Sequence, residues 1–147
     1  MSLEKWVEHG WVRREASSPN EIRGLLSIVK RSLGDAEVTA ISADLRFTAA
    51  FNAALAAATT ALRASGYRAP TQPGHHMRAI DSLEHTIHAT PKIIQRLKSF
   101  STKRNKSVYD AAGVISEQDL TEMIKLAAEL QSQVTAWLQK SHPELLA

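Results

Sequence analysis

The sequence predicts an all-α protein, an antiparallel four- to five-helix bundle, and three observations carry that expectation. Nothing alternates apolar and polar residues with period two over a useful length, and no Asn-Gly or Asp-Gly pair offers a hairpin turn. Apolar residues recur instead at helical spacing. Start and stop signals punctuate those stripes along the 147 residues. A chain of this length suits one ordinary domain with a core of its own, so residues 1–147 read as a single domain.

Leu3 to His9 forms a short amphipathic start, with Leu3, Trp6 and Val7 on one side and Gly10 closing it. A linker runs from Trp11 to Ser17, completing the segment 1–17. Ser18-Pro19 with Glu21 opens the first full helix, whose buried stripe is Ile22, Leu25, Leu26, Val29 and Leu33. The second begins near Ser42, with Asp44 in its first turn, and runs to Gly66 along Phe47, Phe51, Leu55, Ala58 and Leu62. Its many small side chains let a neighbouring helix approach closely. Residues 67–74, rich in proline and glycine with Gly66 before them, form a loop between two halves of the domain. A third helix covers His75 to His88 with Met77, Ile80, Leu83 or Glu84, and Ile87. Thr90 caps and Pro91 starts a fourth, with Ile93, Ile94, Leu97, Phe100 and Val108 as its apolar residues. These two helices read equally as one kinked rod. Gly113 ends that segment. Ser116-Glu117-Gln118-Asp119 then resembles a capping box before the last helix, which carries Leu120, Ile124, Ala127, Leu130 or Gln131, Val134 and Leu138, with Trp137 at the margin.

The absence of cysteine excludes disulfides, thiolate metal sites and Cys nucleophiles, and fits a reducing, cytoplasmic setting. The opening MSLEKWVEHGW is charged throughout and no stretch approaches the ~20 apolar residues of a membrane span, so no membrane association is expected. Lys plus Arg number 18 against 15 Asp plus Glu, a formal charge of +3, too small to argue nucleic-acid binding alone. The charge is segregated, however. Lys92, Arg96, Lys98, Lys103, Arg104 and Lys106 follow one another with no acid between, while Ser116 to Glu129 holds most of a compensating acidic run. This is either a functional basic patch or two solvated helix faces that attract each other.

Histidines are the first candidates for acid–base or metal chemistry. His85 and His88, three apart, share one helix face, yet no H-E-x-x-H pattern completes a ligand set, so neither metal nor cofactor is expected. Gly74-His75-His76 reads as a helix start whose role stays open. No G-x-S-x-G turn supports a serine hydrolase, and no carboxylate pair supports glycoside chemistry. The segment Lys103-Arg104-Asn105-Lys106-Ser107-Val108-Tyr109-Asp110 is different, because Leu97, Phe100 and Val108 should hold the helix on the core while polar groups line a groove. Arg104 offers a planar fork matched to phosphate, Asn105 can orient it, and Tyr109 adds a hydroxyl and a stacking face. The structural alternative is a hydrogen-bonded knot of Arg104, Asn105 and Tyr109 that fastens two helices, with Asp110 or Asp44 as partner.

This segment resembles the HEPN superfamily of small helical bundles, whose motif is Arg, four to six variable residues, then His, with Asn often directly after the Arg. Arg104-Asn105 matches, four residues intervene, and Tyr109 stands where the family has His. The likeness extends over nearly the whole chain, through Gly66-Tyr67-Arg68, Gly74-His75-His76 and the late Leu126-Ala127-Ala128-Glu129-Leu130 helix ending in Trp137-Leu138. The resemblance implies a homodimer that joins two motifs in an RNA-binding or RNA-cleaving groove, where the family's His and Arg act without metal. Tyrosine, titrating near ~10, is a poor general base at neutral pH. The expectation is therefore a HEPN-like domain that binds RNA or nucleotide phosphate through Lys103, Arg104, Asn105, Lys106 and Tyr109, with catalysis weak or lost. Arg104 and Tyr109 remain the catalytic candidates. One alternative is a metal-independent ribonuclease, such as a toxin with a cognate partner protein, in which Tyr109 or a nearby His replaces the missing group. Another is a protein-interaction module whose motif is structural.

Overall fold

The computed structural model describes residues 2–147 and is all-α apart from one two-residue strand pair. Its elements are α1 (Leu3–Glu8), β1 (Arg13–Arg14), α2 (Pro19–Ala36), α3 (Ala43–Ala64), β2 (Tyr67–Arg68), α4 (His75–Thr86), α5 (Pro91–Tyr109) and α6 (Glu117–Ser141), with a 3₁₀ turn at Pro143–Leu146. Capping fixes most helix starts. The hydroxyls of Ser18, Ser42 and Thr90 accept from the amides of Glu21, Leu45 and Ile93, and Ser116 with Asp119 forms a reciprocal capping box.

Helix α3 is the central element, packed against α2, α4, α5 and α6. Its Ala50, Ala53, Ala54, Ala57, Ala58 and Ala61 are all buried, which brings neighbouring backbones close, while Phe47 and Phe51 fill the wider space. Facing them are Ile22 and Val29 of α2, Ile80 and Leu83 of α4, and Leu120, Leu126, Leu130 and Leu138 of α6. The ambiguous positions resolve to Leu83 and Leu130, since Glu84 is exposed and Gln131 half-buried. A second small cluster joins Leu3, Trp6, Val12 and Leu62 and docks the N-terminal segment on the end of α3.

Four features depart from the sequence reading. First, the linker 11–17 and the loop 67–74 pair as β1 and β2, antiparallel, with Arg13 opposite Arg68 and Arg14 opposite Tyr67. Two residues cannot show a period, so this pairing had no sequence signal. Second, α4 ends at Thr86, and His88 adopts a left-handed φ of 57°. The amide of Ala89 donates to the carbonyl of Leu83, a wrapped helix end that separates α4 from α5, so the two are not one kinked rod. Third, Val108 is 48% exposed; burial on α5 stops at Ser101, because residues 102–107 offer no apolar side chain to the core. The last two turns of α5 therefore lie along the surface. Fourth, the 3₁₀ turn at Pro143–Leu146 extends the fold past α6, where no further element is read from the sequence.

Candidate functional site

Two elements meet to build the site. Gly74, with φ 87°, starts α4 in a left-handed conformation that favours glycine, and it contributes no side-chain cap. The first turn of α4 thus has amides with no side-chain acceptor at the cap, carrying the partial positive charge of a helix start. The His75 amide donates to the carbonyl of Gln72 (3.1 Å), and its Nδ1 lies 2.8 Å from the same oxygen, which holds the ring against the turn. The His75 and His76 rings stand 4.1 Å apart at 62°.

Across from this turn runs α5. Phe100 packs edge-on against Phe47 (5.6 Å), anchoring the helix. One turn later the Arg104 guanidinium lies over the ring of Phe51, 5.1 Å from its centre. Arg104 Nε is buried and has no hydrogen-bond partner. Arg104 also takes no part in the ion pairs formed among the described residues. Between the α4 start and α5 opens a groove of about 490 Å³ lined by Thr71, His75, His76, Ser101, Arg104 and Asn105, with the Gln72–Gly74 turn at one end. No carboxylate lines it. The His76 imidazole titrates below its ordinary value, first through partial burial and then through the charges of His75 and Arg104. It is therefore neutral at pH 7 and able to accept a proton or a hydrogen bond.

The structure distributes the other candidate residues around this groove. Asn105 lines it alongside Arg104. Lys103 points to the opposite side of α5, where its Nζ meets Asp119 Oδ1 at 2.7 Å, and the pair holds the Asp119 carboxyl below its usual range. That contact ties the basic helix to the acidic one, as does no other ion pair among the described residues. Lys106 is exposed on the last turns of α5, and its carbonyl accepts from the amides of Asp110 and Ala111. Tyr109 is 75% exposed and lies outside the lining of the groove. The knot that would fasten two helices is not formed: Asp44 accepts from the Gly113 amide (2.9 Å), and its other oxygen is buried without a partner. His85 packs edge-on against Trp6 (5.3 Å), and among the described residues no three His, Asp or Glu side chains converge as metal ligands.

The strongest electrostatic arrangement is one the sequence reading missed. Arg63, 2% exposed, donates to the carbonyls of Glu15, Ala16 and Tyr67 and to Glu21 Oε1 at 2.7 Å. Arg68 donates to Glu15 and, at 2.6 Å, to Glu21. These contacts push the Glu21 carboxyl down to about 2, with Arg63 as the largest cause. Both carboxylates and both guanidinium groups find partners within the protein, so the cluster clamps the N-terminal segment to α3 and β2 rather than offering a site. The Gly-Tyr-Arg loop hinted at Arg68, but nothing in the spacing linked Arg63 to Glu21. No known family, no curated protein and no solved structure with which the chain was compared matches it.

Proposed function

We propose that this protein binds single-stranded RNA, holding a backbone phosphate in the groove between the start of α4 and α5. The observation that carries this reading is Arg104: a guanidinium with a buried, unpartnered Nε, held over Phe51 beside an uncapped helix start, in a groove without a carboxylate. A planar cation left unpaired in such a place is matched to a phosphate oxygen pair, and the first-turn amides of α4 add donors. Asn105 and Ser101 supply neutral hydrogen-bonding groups on the same wall. The resemblance to HEPN proteins supports the same reading and adds that two copies associate, bringing two grooves together.

Fluorescence anisotropy with a labelled single-stranded oligoribonucleotide tests it. Binding should weaken as salt rises, because each phosphate neutralised by Lys or Arg releases a counterion. Arg104→Ala should weaken binding about tenfold or more, the loss of a charge-assisted contact. Lys125→Ala, on the exposed face of α6, should change it by less than about twofold. Equal effects of the two substitutions, or no binding by the parent, refute the proposal.

A second reading, metal-independent RNA cleavage, draws on the neutral His76 imidazole beside Arg104. In it His76 takes the proton of a ribose 2′-hydroxyl, and the 2′-oxygen attacks the adjoining phosphorus while Arg104 balances the added negative charge. The 5′-oxygen leaves with a proton returned by the imidazolium, giving a 2′,3′-cyclic phosphate and a 5′-hydroxyl. Cleavage in the presence of a chelator, lost in His76→Ala while binding persists, selects this reading over binding alone.

A further inference from the structure

A second groove, also of about 490 Å³, opens on the other side of His75 and His76, between α2, α3 and the start of α4. It shares Thr71, His75 and His76 with the Arg104 groove, so the two imidazoles stand at the divide. Its floor is apolar, built from Leu25 and Ile28 of α2, Leu55 and Ala56 of α3, and Ala69 after β2. Ile28 is 37% exposed, a large aliphatic side chain left facing solvent. Four arginines line the two grooves, Arg31, Arg63, Arg68 and Arg104, and no carboxylate does. Arg63 and Arg68 are neutralised by Glu15 and Glu21, whereas Arg31 and Arg104 enter none of the ion pairs among the described residues. An apolar floor of ligand size with an unpaired cation on its rim, continuous with an anion groove, matches a flat ring that carries a phosphate.

We propose that the two grooves form one bipartite site for a nucleotide unit, with the phosphate at Arg104 and the α4 start and the base laid over Leu25, Ile28 and Leu55. Arg31 on the rim meets the polar edge of the base or a second anionic group. This inference rests on the phosphate reading of the Arg104 groove and adds ring recognition to it.

The test titrates the full chain with adenosine 5′-monophosphate and with ribose 5-phosphate, which lacks the ring. The mononucleotide should bind about tenfold or more tightly, because its ring face leaves water for the apolar floor. Ile28→Glu, at an exposed position, should remove that preference and leave ribose 5-phosphate unchanged, and Arg31→Ala should reduce the preference; Arg104→Ala should weaken both ligands. Equal affinity of the parent for the two ligands, or a preference untouched by Ile28→Glu, overturns the bipartite site. If Arg104-dependent RNA binding persists in that case, the phosphate reading stands and the ring groove alone falls; if RNA fails to bind as well, both fall. Displacement of bound mononucleotide by a single-stranded hexanucleotide assigns the site to one unit of a strand, and failure to displace it assigns the site to a free nucleotide.

Discussion

Single residues divide sharply here into those whose polar groups are used by the fold and those left over. Arg63 and Arg104 illustrate the division: Arg63, on α3, has carbonyl and carboxylate partners on several sides, while Arg104, on α5, has the aromatic face of Phe51 and an open groove. Tyr109 belongs to neither class. With its ring 75% exposed and outside the groove, Tyr109→Phe should leave RNA affinity within about twofold in the same anisotropy assay, the usual size of a surface change away from the site. A larger loss would mean that the hydroxyl reaches the strand. His88 carries a cost of its own, since a side chain with a Cβ is held at φ 57° where glycine is favoured. His88→Gly is expected to stabilise the fold by about 0.5–1 kcal/mol, read as a higher denaturation midpoint at unchanged slope. A lower midpoint would show that the imidazole makes contacts worth more than the backbone strain.

At the scale of elements, α2, α3, α5 and α6 were legible in the sequence because each announces itself twice, by its stripe and by its cap. Ser18-Pro19, Ser42, Thr90-Pro91 and Ser116 through Asp119 all begin helices where the cap chemistry says they should. What was not legible depends on residues far apart in the chain. The pairing of Arg13 with Arg68 is too short to leave a period, and the joining of Glu15 and Glu21 to Arg63 and Arg68 spans more than forty residues. The candidate site was legible in part. Arg104 and Asn105 line the groove, but the meeting of α5 with His75 and His76 is a tertiary event, and Val108 misled because the core ends at Ser101. The Arg63 clamp makes a prediction in pH. A carboxyl held below its ordinary range stabilises the fold wherever it is ionised in the unfolded chain, and that stabilisation is lost as it protonates. Glu21, pushed from 4.5 to about 2, should therefore cost the protein stability as pH falls between those values. In Glu21→Gln that part of the acid limb should be absent, with a lower midpoint at pH 7 by about 1–3 kcal/mol. Parallel pH profiles for parent and variant would contradict the assigned role of Glu21.

For the whole molecule, charge is placed rather than accumulated. A formal charge of +3 says little, but the acids that pair with basic residues, such as Asp119 with Lys103, Asp81 with Lys98 and Glu21 with Arg63, lie outside the lining of the two grooves flanking His75 and His76, which holds no carboxylate. No helix among the described residues is long and apolar enough to cross a membrane. Association of two copies would double the groove, and light scattering at micromolar concentration should then report twice the 16.2 kDa of one chain. A mass of one chain at all concentrations would remove the dimer from the proposal and leave the groove of each copy intact. The central claim concerns place: that an RNA phosphate binds where the start of α4 faces Arg104. Amide chemical-shift mapping tests it most directly, by titrating a single-stranded oligoribonucleotide into isotope-labelled protein. The account predicts that the largest shifts fall on Gly74 through Met77 and on Ser101 through Asn105, and that they vanish in Arg104→Ala; shifts confined to Lys92 through Phe100 of α5, or no shifts, would contradict it.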